Sequence, residues 1–287
     1  MLENNTTMSN SVSFIYAPNI IVAPGTKYVD DFEDFQKRVL SLLADIMKAN
    51  WTGLGIINLI GQTSNKKVII TPDPINGNAC AEDRRNPSWG NAIEIPISVE
   101  YVKGTGKKSP GFMPDEIILH ELIHAYFMHH GAKQDMALFV PPNFYYHTFG
   151  EFAAILLTNI YMSAKGRQVL RRDHTEGQLT GMCSHDEGFL ILHADPNQFG
   201  YPYSQFPHEK LIWNLTEQAP ELIFNYVRHE NGVFNPVRYY LNTLPERRLR
   251  ELRPRSGEVF HRTDELEGEA MKFLREAERV EKEGWTK

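Results

Sequence analysis

The sequence predicts an α+β fold in which a small edge sheet lies over two long helices and a helical C-terminal part completes a cleft. Three features predict it. Two helical patterns end at glycines, one running from Pro114 to about His130 and one from about Phe149 to Ala164. Short segments rich in β-branched residues, 67–71 and 92–98, precede them. Helical segments interrupted at Pro207, Pro220 and Pro236 fill 205–244. A chain of 287 residues with 41% hydrophobic and 23% charged content is long and apolar enough for one core with appendages. The expected division is a polar leader and first apolar stretch over 1–29, a main domain over 30–245, and a charged C-terminal helix over 246–287.

Along the chain, Asp30 and Asp31 can cap a helix with Phe32, Phe35, Val39, Leu42, Leu43 and Ile46 at helical spacing. Residues 53–60 form a second short helix. The strand at 67–71 ends at the Pro72/Pro74 turn, and 76–92 is a Gly/Asn/Pro-rich loop. Pro96 confines the strand at 92–98 to an edge or a bulge. Pro114 suits a first helical turn, Asp115 and Glu116 suit its positive end, and Gly131 suits its C-cap. Gly166 stops the next helix in the same way. In the tail, Leu266, Ala270, Phe273, Leu274, Ala277 and Val280 mark an amphipathic face.

Within the first long helix stands H-E-x-x-H, with His120 and His124 one turn apart on one face. Both imidazoles can reach one Zn²⁺. Glu121, beside the first histidine, is placed to accept a proton from a water on the open side of the metal and return it to a leaving amine, as a base and not a ligand. The chemistry this implies is hydrolysis of a peptide bond. A catalytic zinc needs a third protein ligand. Glu151, at the start of the next helix, reaches back if the two helices pack antiparallel, and Gly150, Ala153 and Ala154 allow that approach. His130 matches the H-E-x-x-H-x-x-G-x-x-H spacing, but Phe127 stands where that motif turns on glycine, so Glu151 is preferred.

Stabilising the developing negative charge needs a donor facing the metal's open side. Tyr145, Tyr146, His147, Arg171, Arg172, His174, Tyr201 and Tyr203 are the candidates. Arg171 and His174 stand out because their run follows the glutamate helix, although a solvated charge cluster capping that helix explains the same run. Asp173 can orient a ligand histidine. Met182, His129 and His147 read as ordinary core or surface residues. Residues 103–112 and 140–146 would flank the cleft.

The H-E-L-I-H-A string followed by the G-E-F-A-A helix resembles the gluzincins, zinc peptidases whose third ligand is a downstream glutamate. Over residues 30–174 the order of elements is similar to the NleD-like bacterial effector peptidases and, more distantly, to clostridial neurotoxin light chains. The resemblance implies a zincin-like fold, one catalytic Zn²⁺ on His120, His124 and Glu151, and a protein substrate, as in a secreted effector or toxin. Other readings stay open: a zinc amidase acting on cell-wall peptide links, a non-catalytic zinc-containing interaction module, or a protein that docks a partner through its C-terminal helix.

The net charge of −6 is mixed over the chain and points away from nucleic acid. No apolar run reaches membrane-spanning length, and the start MLENNTTMSNS lacks the basic and apolar regions of a classical signal peptide. The expectation is a protein made in the cytoplasm, with injection into another cell through export machinery one route for such a polar leader and a frayed terminus the other reading. Cys80 and Cys183 are too few for a disulfide framework.

Overall fold

The computed structural model describes residues 10–25, 31–63, 66–73, 79–86, 90–106, 109–131, 146, 148–172, 178, 185–190 and 208–252. Tyr145, His147, Asp173, His174, Met182, Cys183, Tyr201, Tyr203, Pro207 and the tail after Leu252 lie outside these.

The fold is α+β with a mixed five-stranded sheet. Strands β1 (Val12–Phe14), β2 (Ala17–Val22), β3 (Lys67–Asp73), β4 (Glu82–Asn86) and β5 (Gly90–Ser98) lie in the order β1-β2-β3-β5-β4. The central three are parallel, and the registers Ile20↔Val68↔Ile93 and Val22↔Ile70↔Ile95 stack branched side chains in rows across one face. That face joins the main core, while Ile21, Ala23, Ile69 and Ala92 form a small cluster on the other. The alternation follows from the two-residue period of a strand. The apolar stretch before residue 30 therefore packs into the same core as the rest.

The segment 82–86, expected as loop, is a strand. Its sequence EDRRN has little β propensity, but its residues pair antiparallel with β5, from Glu82↔Glu94 to Asn86↔Gly90. Charged residues are what an edge strand carries against unwanted pairing. Because β4 ends opposite Glu94, β5 is interior over its first half and, among the described residues, has only β3 as a neighbour at Pro96, which pairs with Thr71. The proline sits where β5 is an edge, as its missing N–H requires. Strand β3 runs on through Pro72 to Asp73 because its partner β5 continues to Ser98.

Helix α1 (Phe32–Ala49) starts at Asp31, whose carboxylate accepts from Asp34 N at 3.0 Å. Helix α2 (Trp51–Gln62) starts at Asn50, whose side chain accepts from Gly53 N and donates to Tyr161 O. A buried carboxylate, Glu230, also receives Thr52 N at 2.9 Å and Thr52 Oγ1 at 3.0 Å, tying the C-terminal part to the α2 start. After the short α3 (Val99–Val102), helix α4 (Pro114–His129) packs on β5 and against α1 and α2, and α5 (Phe149–Ala164) packs behind it. Gly131 and Gly166 adopt φ of +62° and +78°, the left-handed cap geometry that costs glycine least. Beyond α6 (Asp186–Leu190), helices α7 (His208–Gln218), α8 (Pro220–Asn225), α9 (Pro236–Thr243) and α10 (Glu246–Leu252) close the core, with a 3₁₀ turn at Val227–His229. Pro220 and Pro236 sit in first turns, where no intrahelical donor is lost. Among the described residues no helix is long and apolar enough to cross a membrane.

Candidate metal centre

Helix α4 is buried around most of its circumference, with Ile118, Leu119, Leu122 and Ile123 no more than 1% exposed. Such a helix is held from all sides, so the polar residues it carries have fixed positions. His120 and Glu121 are buried among them, at 3% and 7% exposure. Helix α5 runs antiparallel to α4. Asp115 near the start of α4 meets Tyr161 and Lys165 at the end of α5, while His120 and His124 face Glu151 at its beginning. Buried Gly150, Ala153 and Ala154 line the first turns of α5. Thr148 caps α5 by accepting from Glu151 N at 3.2 Å, which fixes the backbone from which the Glu151 carboxylate projects.

The result is a tight triangle. His120 Nε2 and His124 Nε2 are 3.3 Å apart; His120 Nε2 is 3.5 Å from Glu151 Oε2, and His124 Nε2 is 3.5 Å from Glu151 Oε1. All three ligand atoms lie within 4.8 Å of one another. A separation of 3.5 Å is long for a hydrogen bond between imidazole and carboxylate. It is close to the ~3.3–3.4 Å that separates neighbouring donors of a four-coordinate ion with bonds of about 2.0–2.1 Å. Burial pushes the pKa of His120 down to about 3; Glu151 opposes this, and the positive neighbours His124 and Arg171 add to it. His120 is therefore neutral at physiological pH, so its contact with Glu151 is not an ion pair, and a neutral imidazole is the form that ligates. The donor set and its spacing fit a metal ion.

Compared with models of protein families, with curated proteins and with solved structures, the chain finds no match.

A cleft of about 300 Å³ opens beside the triangle, lined by Tyr101, Phe112, Ile117, His120, Glu121 and Arg171. Glu121, one residue on from a candidate ligand, thus faces space in which a substrate can lie. Arg171 is buried at 5% exposure, with its guanidinium 5.0 Å from the Phe112 ring centre. Among the described residues, Arg171 is the donor candidate that the structure brings to this cleft. Arg172 is not among its lining residues. Tyr146 is 4% exposed, with its ring against Phe152 and His208 in the core. His130 closes α4, its Nδ1 2.8 Å from Tyr126 O, and stays out of the triangle. His129 lies 3.5 Å from Thr63 Oγ1 at the far end of the helix, where burial pushes its pKa down to about 4. Sequence reasoning missed Tyr101, Phe112 and Ile117 as cleft residues. Only Phe112 carried a signal, as part of the 103–112 segment expected to flank the site.

Proposed function

We propose that this chain is a zinc-dependent endopeptidase in which His120, His124 and Glu151 hold one Zn²⁺ and Glu121 moves the proton. The observation that supports it most is the meeting of two imidazole nitrogens 3.3 Å apart with the Glu151 carboxylate, whose two oxygens lie 3.5 Å from one nitrogen each, beside the buried Glu121 carboxylate at the wall of a cleft. Two histidines and one carboxylate, leaving a position open, are the ligands of hydrolytic zinc sites, whereas structural sites are closed by four protein ligands. When bound, the ion supplies Lewis-acid polarisation of the scissile carbonyl and a lowered pKa for water.

The protein's own groups do the rest. Glu121 accepts a proton from the attacking water as its oxygen bonds to the carbonyl carbon. The same carboxyl group gives that proton to the amide nitrogen as the C–N bond breaks, leaving a carboxylic acid and an amine, which settle as carboxylate and ammonium once the acid's proton passes to the amine. Arg171, across the cleft, donates to the carbonyl oxygen as charge builds on it. A protein substrate, a zincin-like fold and a role as an exported effector or toxin belong to the same proposal, supported by the gluzincin resemblance of the H-E-L-I-H-A and G-E-F-A-A segments. Digestion of an unfolded protein such as reduced casein tests it. Wild type should cleave, Glu121→Gln should hold zinc and lose turnover by about 10³-fold or more, and His124→Ala should lose both. Cleavage at the wild-type rate by Glu121→Gln would remove the base from this account.

A further inference from the structure

Arg171 sits outside every helix and sheet, in an isolated bridge to Gln178, yet both its backbone and its side chain are held. Asn159, 0% exposed in the middle of α5, takes the Arg171 backbone with both ends of its carboxamide. Arg171 N donates to Asn159 Oδ1 at 2.9 Å, and Asn159 Nδ2 donates to Arg171 O at 2.7 Å. These are the two bonds a neighbouring strand would exchange with that residue, supplied from a helix interior. In the buried middle of a helix a carboxamide costs free energy unless it is bonded in this way.

The side chain is held by the turn before α4. Gly111 has φ +80°, and a Cβ there would land on Arg171 Cδ. The next residue, Phe112, stacks on the guanidinium. That turn is itself pinned by Glu116, whose buried carboxylate accepts from Gly111 N at 2.8 Å and Met113 N at 3.3 Å and faces Arg167 Nε at 3.3 Å.

We propose that Asn159 is a positioning residue for Arg171: it fixes the backbone of the cleft's cation from inside α5, and the Gly111–Phe112 turn presses the side chain into place. Glu151 and Asn159 stand on one helix about 12 Å apart along its axis, so a single rigid rod sets both a metal ligand and the cation that serves the same reaction. The geometry is independent of the peptidase reading; its consequence for turnover rests on that reading.

Two readouts on the full chain test it. With ¹⁵N-arginine labelling, the Nε–H resonance that disappears in Arg171→Lys is that of Arg171. It should be displaced by the Phe112 ring and exchange slowly in wild type, then move towards the exposed-arginine position and exchange about tenfold faster or more in Asn159→Ser. Asn159→Asp, which keeps the acceptor and loses the donor, should shift it by a smaller amount and serves if the serine variant does not fold. On a peptide library from a digested proteome, Asn159→Ser should retain one zinc per chain and lower kcat about tenfold with KM nearly unchanged. Added to Arg171→Ala, it should cost less than about twofold, because both act through one group. An unmoved resonance, or an equal penalty for Asn159→Ser in the Arg171→Ala background, overturns the positioning role while leaving an active wild type as a peptidase. If wild type cleaves no peptide in the library, the peptidase reading fails and the consequence for turnover falls with it, while the resonance alone decides whether Asn159 positions Arg171.

Discussion

Asp115 binds α4 to α5 on the helix pair that carries the candidate metal ligands, and removing it should loosen that pair by a calculable amount. Its carboxylate accepts from the buried Tyr161 hydroxyl at 2.8 Å and from Lys165 Nζ at 2.5 Å. Asp115→Ala leaves the buried Tyr161 hydroxyl without its acceptor, beside Lys165 Nζ at 3.2 Å, at a cost of about 1–3 kcal/mol. The Lys165 side chain is 28% exposed and can turn to water, so its lost pairing adds at most about 1 kcal/mol. The expected destabilisation is about 3 kcal/mol, roughly 6 °C or more in Tm for a chain of this size. Asp115→Asn keeps an acceptor and should cost about half as much. Urea unfolding followed by circular dichroism at neutral pH measures both. Burial alone would raise the Asp115 pKa, but Lys165 and Tyr161 outweigh it and hold the group below its ordinary 3.8. A carboxylate held down in the folded state stabilises fully above the unfolded pKa and loses that contribution as pH falls through the folded one. The gap between wild type and Asp115→Asn should therefore be constant near neutrality and close in strong acid. An Asp115→Ala protein within about 0.5 kcal/mol of wild type, or a gap that widens in acid, would refute this reasoning.

Gly111→Ala should destabilise by about 1–2 kcal/mol through its positive φ and, by displacing Arg171, slow hydrolysis of casein; a variant with unchanged kcat would contradict the close packing. A Cβ at Gly55 would lie 2.5 Å from Tyr226 Cγ, so Gly55→Ala should cost about 1–3 kcal/mol in a urea melt without altering zinc content. In metal-free protein, His120 and His129 are pushed by burial to about 3 and about 4, from the ordinary 6.5. Both stay neutral in the fold while the unfolded chain takes up protons, so stability is complete above about pH 6.5 and falls towards about pH 4. Equal urea midpoints at about pH 7.5 and about pH 5 would contradict this.

The two long helices were legible because their signals are local: Pro114 and Gly131 bound one, Gly166 ends the other, and each acts through its own backbone geometry. Glu151 was legible only by joining two local facts, the small residues on α5 and the need for a third ligand, with the assumption that the helices run antiparallel. Strand β4 was not, because EDRRN is held by pairing to β5 and not by propensity. The cleft was the least legible part. Tyr101, Phe112 and Arg171 come from separate segments, and nothing near Asn159 in sequence shows that its carboxamide meets Arg171. Such convergence is created by the packing of α4 on α5 and leaves no periodic trace.

The central claim is that Glu151 completes a metal site begun by His120 and His124. Elemental analysis of zinc in purified wild type, Glu151→Ala and His130→Ala tests it most directly. Wild type and His130→Ala should each carry one zinc per chain, and Glu151→Ala should carry little or none after dialysis. Zinc retained by Glu151→Ala and lost from His130→Ala, or no zinc in wild type, would contradict the account.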